Sequence, residues 1–472
     1  MSASVAIEVP GQTRAVAPKG FGTAVSPDPD RVPVLASAAA AGRARFGLAV
    51  DIGTTTLAAA LIDVDSGVEV AAGSLLNPQA EFGADVMSRI HAAGGSDERR
   101  RPITAAVRRG LATLAGGLVR DAGLSDGHVT LAAVVGNPAM LHLWCGEDPS
   151  SLGVAPYVGR WTAAIHTRAQ DVGLPIDPAA AVYVFPSLRS HVGADAIAAA
   201  VAVDLDRQGA PALLIDLGTN SEIVLGDGAR VFAASTAAGP AFECGGISCG
   251  MRAADGAIDA LHLEPDGHWS VHVIGGGPPR GVCGSGLFDA VAELVRAGVI
   301  EPGGAMRSAQ QVSGTVPDPL AARLSGSGGR RRATIVAAES NAGREIALTS
   351  ADVRQLQLAN GAVRAGIEVL CAQAGLAAGQ LQAVFVAGTF GQYVRKASLL
   401  RMGLLPPVPP ERVRTVGNAA GAGAVLALID RRVRDRAQRL ASGANYVELA
   451  GRADYQESLA RSLRFPAPGE GP

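Results

Sequence analysis

The sequence predicts an α/β protein with a duplicated core, and two observations predict it. An apolar strand twice delivers an Asp and a Gly into a tight turn: Ala49-Val50-Asp51-Ile52-Gly53-Thr54-Thr55-Thr56 and Leu214-Ile215-Asp216-Leu217-Gly218-Thr219-Asn220-Ser221-Glu222. Each turn leads into a second strand, Leu57 to Val64 or Ile223 to Leu225, and then through Asp65-Ser66-Gly67 or Gly226-Asp227-Gly228 towards a third. Positions 51 and 216 are a domain's length apart, too far for a solenoid repeat and suited to duplicated lobes.

The phrase suits phosphate. Glycine lets backbone N–H groups approach an anion, threonine hydroxyls add donors, and an aspartate can hold Mg²⁺ directly or through its waters. One such phrase alone is as readily an ordinary hairpin turn. Two copies in the same strand-turn-strand frame make phosphate binding the expectation, with Asp51 and Asp216 as metal and phosphate residues. A Walker loop is excluded. It needs Gly-Lys-Ser/Thr, and the only lysines are Lys19 in Pro18-Lys19-Gly20 and Lys396 before Ala397.

Hydrophobic residues make up 48%, charged residues 18%, and the formal net charge is −2. Such a balance gives no electrostatic reason for nucleic acid or an anionic membrane as partner. No apolar stretch is long enough to span a bilayer and no secretory leader pattern opens the chain, so a cytoplasmic location is expected. Five scattered cysteines, Cys145, Cys244, Cys249, Cys283 and Cys371, agree with that compartment.

In chain order, residues 1–44 read as a disordered arm, 45–205 as the first lobe, 206–432 as the second, and 433–472 as a tail packing on the core. Phe82, Val86 and Ile90 recur at four-residue spacing and predict a helix start; Pro102 to Ala122 predicts another helix, stopped by Gly123. The strand Val129 to Val135 runs through Gly136-Asn137 into a helix, and Ala181 to Phe185 precedes Ser187 to Asp195 and an Ala-rich helix. Residues 239 to 251 are too rich in glycine for a regular element, Ser285 is expected to cap a helix ending at Gly298, and 301 to 333 read as a surface excursion. Thr349 and Asp352 form a capping box for a helix to Cys371. The strand Ala383 to Ala387 ends in Gly388-Thr389-Phe390-Gly391, and Gly417-Asn418-Ala419-Ala420-Gly421 opens a last core helix.

The order of these phrases resembles the actin-like and sugar-kinase-like ATPase fold, two lobes around a nucleotide cleft. It is most similar to the ATPase domain of the reductive activators of corrinoid proteins, over about residues 45 to 467. Val50 to Thr56, Leu76 to Ile90, Gly136 to Leu143, Ile215 to Glu222, Ile247 to Arg252, Cys283 to Leu287, Gln357 to Ile367 and Ala387 to Gly391 carry the likeness. The resemblance implies ATP with Mg²⁺, and a partner that is a corrinoid protein or corrinoid-dependent methyltransferase whose cobalt is returned from Co(II) to Co(I). Asp216 or Glu222 would orient the attacking water, Glu222 being equally readable as a solvent-facing strand residue. Gly53, Thr54, Thr55, Thr56, Gly218, Thr219 and Asn220 would line the phosphates. Gly388, Thr389 and Gly391 would border the adenosine, with Gly417 and Asn418 nearby; Asn137 and Asn418 read first as helix caps, a place near the phosphates being the alternative.

Members of that family receive electrons through an N-terminal [2Fe-2S] domain. Here Cys244-x₄-Cys249 supplies one plant-type spacing, but Arg252 stands at the third position and residues 1–45 hold no cysteine. No iron–sulfur cluster is therefore expected in this chain, and a separate electron donor is. Competing readings are an electron donor with an intersubunit cluster, a small-molecule kinase and an actin-like scaffold. A homodimer is compatible with any of them.

Overall fold

The computed structural model describes residues 45–189, 191–388 and 394–467, together with the backbone of an antiparallel strand pair, Val5–Val9 with Gln12–Val16. The chain forms two compact units. One comprises Met1–Leu214, Val224–Ala233 and Val416–Tyr446; the other comprises Ile215–Ile223, Ala234–Thr415 and Val447–Pro472.

The first six-stranded sheet is built from β1 (Phe46–Ile52), β2 (Thr56–Asp63), β3 (Glu69–Leu76), β4 (Val129–Gly136), β5 (Ile165–Arg168) and β6 (Ala181–Val184), in the order β3-β2-β1-β4-β6-β5. β1 is antiparallel to β2 and parallel to β4, and the register sets Asp51 opposite Val135 and Ile52 opposite Gly136. Both central strands are apolar on both faces because helices cover both. Gly47 lies against Leu428 on one face, while Leu57, in register with Ile52, lies against Gly110 on the other.

The helices of this unit are α1 (Val86–Ala93), α2 (Asp97–Asp121), α3 (Pro138–Cys145) and α4 (Ala194–Ala202). Phe82 does not begin α1. It ends a 3₁₀ turn, and Asp85 caps α1 by accepting from Ser88 N at 2.7 Å, so the local cap overrides the apolar spacing. α2 likewise begins before Pro102. Ser96 is its N-cap and Asp97 and Glu98 occupy its first turn, where acidic groups meet the positive end of the helix; the proline removes one bond to a carbonyl close to that end.

The second six-stranded sheet uses β7 (Ala212–Asp216), β8 (Ser221–Gly226), β9 (Val231–Thr236), β10 (Ala383–Ala387), β11 (Val413–Gly417) and β12 (Asn445–Tyr446), ordered β11-β10-β7-β8-β9-β12. Its β9-β8-β7-β10-β11 series repeats β3-β2-β1-β4-β6 of the first. The duplicated phrase therefore belongs to a duplicated topology. α5 (Gly284–Arg296) starts from Cys283 rather than Ser285, whose hydroxyl instead donates to Asp259 O at 2.7 Å. The excursion at 301 to 333 carries short helices, Ala309–Val312 and Asp318–Ala321. Its end joins a small antiparallel sheet of Leu324–Ser325, Arg332–Val336 and Ile346–Thr349, in which Ala333, Ile335 and Leu348 are buried; buried alternate residues make it structure where composition suggested loop.

α6 (Ser350–Ala374) has the expected Thr349–Asp352 capping box. α7 (Ala419–Ile429), α8 (Arg431–Gly443) and α9 (Ala453–Ser462) complete the chain, α9 packing along α6. α7 crosses α4 so closely that a Cβ on Gly423 would lie 2.3 Å from Ala198 O. On α8, the buried Arg436 is bonded to both Asp204 and Asp206, which anchors the polar stretch before β7.

Candidate functional site

In the first unit, β1 sets Asp51 on the face covered by α7, beside the Gly53–Thr56 turn. Gly53 N donates to Thr56 O at 3.0 Å, and a Cβ on Gly53 would lie 2.7 Å from that oxygen, so the turn requires glycine. Three asparagines hold the surroundings. Asn77, buried at the end of β3, donates from Nδ2 to Gly53 O at 2.8 Å and from its backbone to Thr55 O at 2.9 Å. Asn137 donates from Nδ2 to Thr54 Oγ1 at 3.0 Å while its Oδ1 accepts from Met140 N, capping α3. Asn418 donates from Nδ2 to Asp51 Oδ2 at 2.8 Å while its Oδ1 accepts from Gly421 N at 2.7 Å, capping α7. Capping and site roles thus coincide in Asn137 and Asn418, because a cap uses the amide oxygen and leaves the amide nitrogen to bond elsewhere.

Asp195 joins this group. It stands in the first turn of α4, accepts from Ala196 N at 2.9 Å, and follows Gly193, where a Cβ would meet Asp195 Oδ1 at 2.5 Å and Asn137 Cα at 2.8 Å. Burial raises Asp51 to about 7, with the Asn418 amide opposing the shift and the Asp195 charge adding to it. Burial also raises Asp195 to about 6, against donation from the Ala196 N–H. Two carboxylates disfavoured as bare anions are a setting in which a divalent cation is stabilising. Among the described residues, no group of three or more His, Cys, Asp or Glu could cage a metal. Two carboxylates and a threonine hydroxyl suit Mg²⁺, a hard cation that keeps several of its waters.

In the second unit, Asp216 ends β7, and Leu217 N donates to Ala387 O of β10 at 3.2 Å. Gly388 follows with φ of +93°, and a Cβ there would lie 2.6 Å from Leu217 O and 2.8 Å from Asp216 Oδ1. Only glycine fits that approach. Thr219 O accepts from Gly239 N at 2.9 Å, tying the turn of Gly218, Thr219 and Asn220 to the glycine-rich loop, from which Glu243 reaches within 3.9 Å of the Gly218 Cβ position. Glu222 is half-buried on β8 and accepts from Ser235 Oγ at 3.4 Å. Gly417, with φ of +60°, leads directly into Asn418 in the first unit. Thr389, Phe390 and Gly391 lie outside the described residues.

Asp195, Asn77 and Glu243 are the residues that motif reading did not assign. Gly193 ahead of an acidic first turn was the available signal for Asp195, but nothing local to it reveals that Asn137 and Asp51 are its neighbours. A further carboxylate, Asp352, accepts from Ser248 N and Oγ at 2.7 and 2.6 Å and from Thr349 N and Oγ1 at 2.8 and 2.7 Å, pinning the glycine-rich loop to the start of α6.

Cys244 and Cys249 of that loop, and Cys283 at the start of α5, are packed rather than presented. Cys244 and Cys283 are buried, Cys249 half-buried, and burial pushes the Cys249 thiol to about 12 and Cys244 higher still. His142 is fully engaged. Its Nδ1 faces Pro138 O at 2.7 Å, its Nε2 accepts from Arg160 N at 3.0 Å, and its ring stacks on Trp161 at 4.2 Å, in line with a core role.

The duplicated strand order and the paired Asp-Gly turns define an ATPase-type fold of the actin and sugar-kinase class. The chain belongs to the RACo family of reductive activators of corrinoid proteins: residues 46–208 match the RACo middle region, and residues 210–470 match the C-terminal domain of RACo, the ASKHA domain. It is 35% identical over 424 residues to the corrinoid activation enzyme RamQ of Eubacterium limosum, covering 89% of this chain and 70% of that protein. A [Co(II) methylated amine-specific corrinoid protein] reductase of Methanosarcina barkeri is 27% identical over 397 residues, covering 76% of this chain and 66% of that protein. The solved structure of a reductive activator for corrinoid,iron-sulfur protein superposes with a TM-score of 0.81 at 31% identity, over 90% of this chain and 67% of that one. The chain thus spans about two thirds of the length of these relatives. None of the helices described is long and apolar enough to cross a membrane.

Proposed function

We propose that the chain is an ATP-dependent activator of a corrinoid methyltransferase system, acting in the cytoplasm on a corrinoid protein held as Co(II) and working with a separate electron donor. The observation that carries the ATP part is the Asp51–Asn418 bond, 2.8 Å, beside a turn whose threonine hydroxyls offer phosphate donors. The corrinoid part is supported by relatives named for corrinoid activation and Co(II) corrinoid protein reduction.

In this reading Asp51, with Asp195 beside it, holds Mg²⁺ directly or through water, and the metal supplies charge neutralisation for the phosphates. Thr54 and the Gly53 turn position a phosphate. Asp216 or Glu222 orients the attacking water, and Gly388, required to be glycine by the nearby Leu217 carbonyl, brings the end of β10 against the Asp216 turn, where it borders the adenosine. ATP and water become ADP and phosphate, while one electron from the donor takes Co(II) to Co(I). Tighter binding of the nucleotide-loaded protein to the Co(II) form is the link that makes hydrolysis useful.

The test is ATP hydrolysis by the purified chain with and without a candidate corrinoid protein poised as Co(II), while cobalt is followed by its visible spectrum in the presence of a low-potential one-electron donor. Stimulation specific to Co(II), with ATP-dependent appearance of Co(I), is expected. Turnover indifferent to the corrinoid protein overturns the reading.

A further inference from the structure

The first turns of α2 and the C-terminal end of α3 line an open cavity of about 400 Å³ within the first unit, remote in sequence from both Asp-Gly turns. Arg100, Arg101 and Arg108 line it, with Asp97, Thr104 and Cys145. These side chains carry a surplus of two positive charges. Arg100 Nε donates to Gly146 O at 2.9 Å and Arg108 Nε donates to Trp144 O at 3.1 Å, so the exposed carbonyls at the end of α3 fix both guanidinium planes. Asp97 pairs with Arg100. Asp148, close enough for the Arg100 charge to lower it, is already bonded to Ser150. Among the described residues, no carboxylate makes an ion pair with Arg101 or Arg108. Thr104 is occupied as well, its hydroxyl donating to Leu143 O at 2.7 Å.

We propose that this cavity is a binding site for a small molecule carrying a phosphate group, distinct from the nucleotide turns. A phosphate dianion matches the surplus charge of two, where a single carboxylate leaves one guanidinium uncompensated, and two planar forks held by their Nε atoms retain terminal N–H groups for the bidentate contacts phosphate accepts. The lining contains no aromatic ring to stack a base and only Ala105 as an apolar surface, so recognition rests on the phosphate. The volume exceeds that of inorganic phosphate and accommodates a small phosphomonoester. The Cys145 thiol, which burial keeps protonated with a pKa pushed up to about 12, contributes no negative charge.

The test uses the intact chain with inorganic phosphate and glycerol phosphate as probes, at ionic strength held constant with chloride. Calorimetry reads affinity, and the rate of backbone hydrogen exchange in the peptide that holds Cys145, followed by mass spectrometry, reads occupancy of this cavity in particular. Saturable binding, at least threefold protection of that peptide, and at least tenfold weaker affinity in Arg101→Gln and Arg108→Gln are expected, with the peptide's protection retained in Asp51→Asn. Arg101 is exposed and, among the described residues, has no bonded partner, so R101Q remains informative if R108Q fails to fold. Absence of protection, protection undiminished in R101Q, or protection lost equally in D51N overturns the proposal. Each of these outcomes leaves the ATP reading standing, since that reading is measured by hydrolysis.

Discussion

Asn418 donates to Asp51 from 367 residues further along the chain, at 2.8 Å, while the other end of the same amide caps α7. One side chain therefore couples the last core helix to the aspartate of the first Asp-Gly turn. Replacing it with Ala should cost about 1 kcal/mol or more through the lost cap, lowering the melting temperature. It should also raise the Asp51 pKa further, because the amide is what opposes burial there, and so move the acid limb of the ATPase pH profile upward. A profile unchanged in N418A would show that Asp51 ionisation does not govern turnover.

Asp51 makes the metal-free protein pH-sensitive in a defined direction. Its carboxyl titrates at about 7 in the folded chain against an ordinary value of 3.8. Between those values the native state keeps a proton that the unfolded chain has released, so this group's stabilising contribution is complete below about pH 4 and is lost as pH rises towards 7. D51N should accordingly gain stability relative to wild type as pH rises from 5 to 8, and Mg²⁺ should narrow the gap by stabilising the wild-type carboxylate. Urea melts of both proteins across that range decide it.

Asp195→Asn should raise the Mg²⁺ concentration needed for half-maximal ATP hydrolysis and lower turnover by on the order of a hundredfold, the scale of losing one positioned polar group. Loss of its charge also relieves Asp51, whose pKa should fall. Mg²⁺ titration by calorimetry separates this from general unfolding, since only the site variant loses metal affinity while keeping its melting temperature.

Asp352→Ala removes an acceptor of four hydrogen bonds and leaves Ser248 and Thr349 donors without it. A destabilisation of about 2–4 kcal/mol is expected from the lost cap and unpaired donors together. Hydrogen exchange should accelerate at Ser248 and Gly250 before it does so in β7, because Asp352 pins the loop and not the sheet.

A Gly423→Ala substitution tests the crossing of α4 and α7. The added methyl would sit 2.3 Å from Ala198 O, a backbone atom that cannot rotate away, so the helices must separate at a cost of about 1–3 kcal/mol or more. Thermal melts should show this loss, where Gly117→Ala, on a helix surface with open space, should not.

By itself the sequence determined the duplicated α/β architecture, because a glycine in a strand-ending turn and an apolar run before it are local requirements written twice. It also determined the Thr349–Asp352 cap and the strand ahead of Gly388, each set by neighbours a few residues apart. Helix starts at Val86 and Asp97 were decided by the Asp85 and Ser96 caps, the start at Cys283 by a Ser285 hydroxyl that bonds Asp259 O instead of the helix end, and the small sheet ending at Thr349 by burial that composition does not report. Only the tertiary structure brought Asp195 and Asn418 to Asp51 and raised the two carboxylates. A carboxyl's pKa depends on what surrounds it in space, and those neighbours come from β1, α4 and α7, segments separated by hundreds of residues.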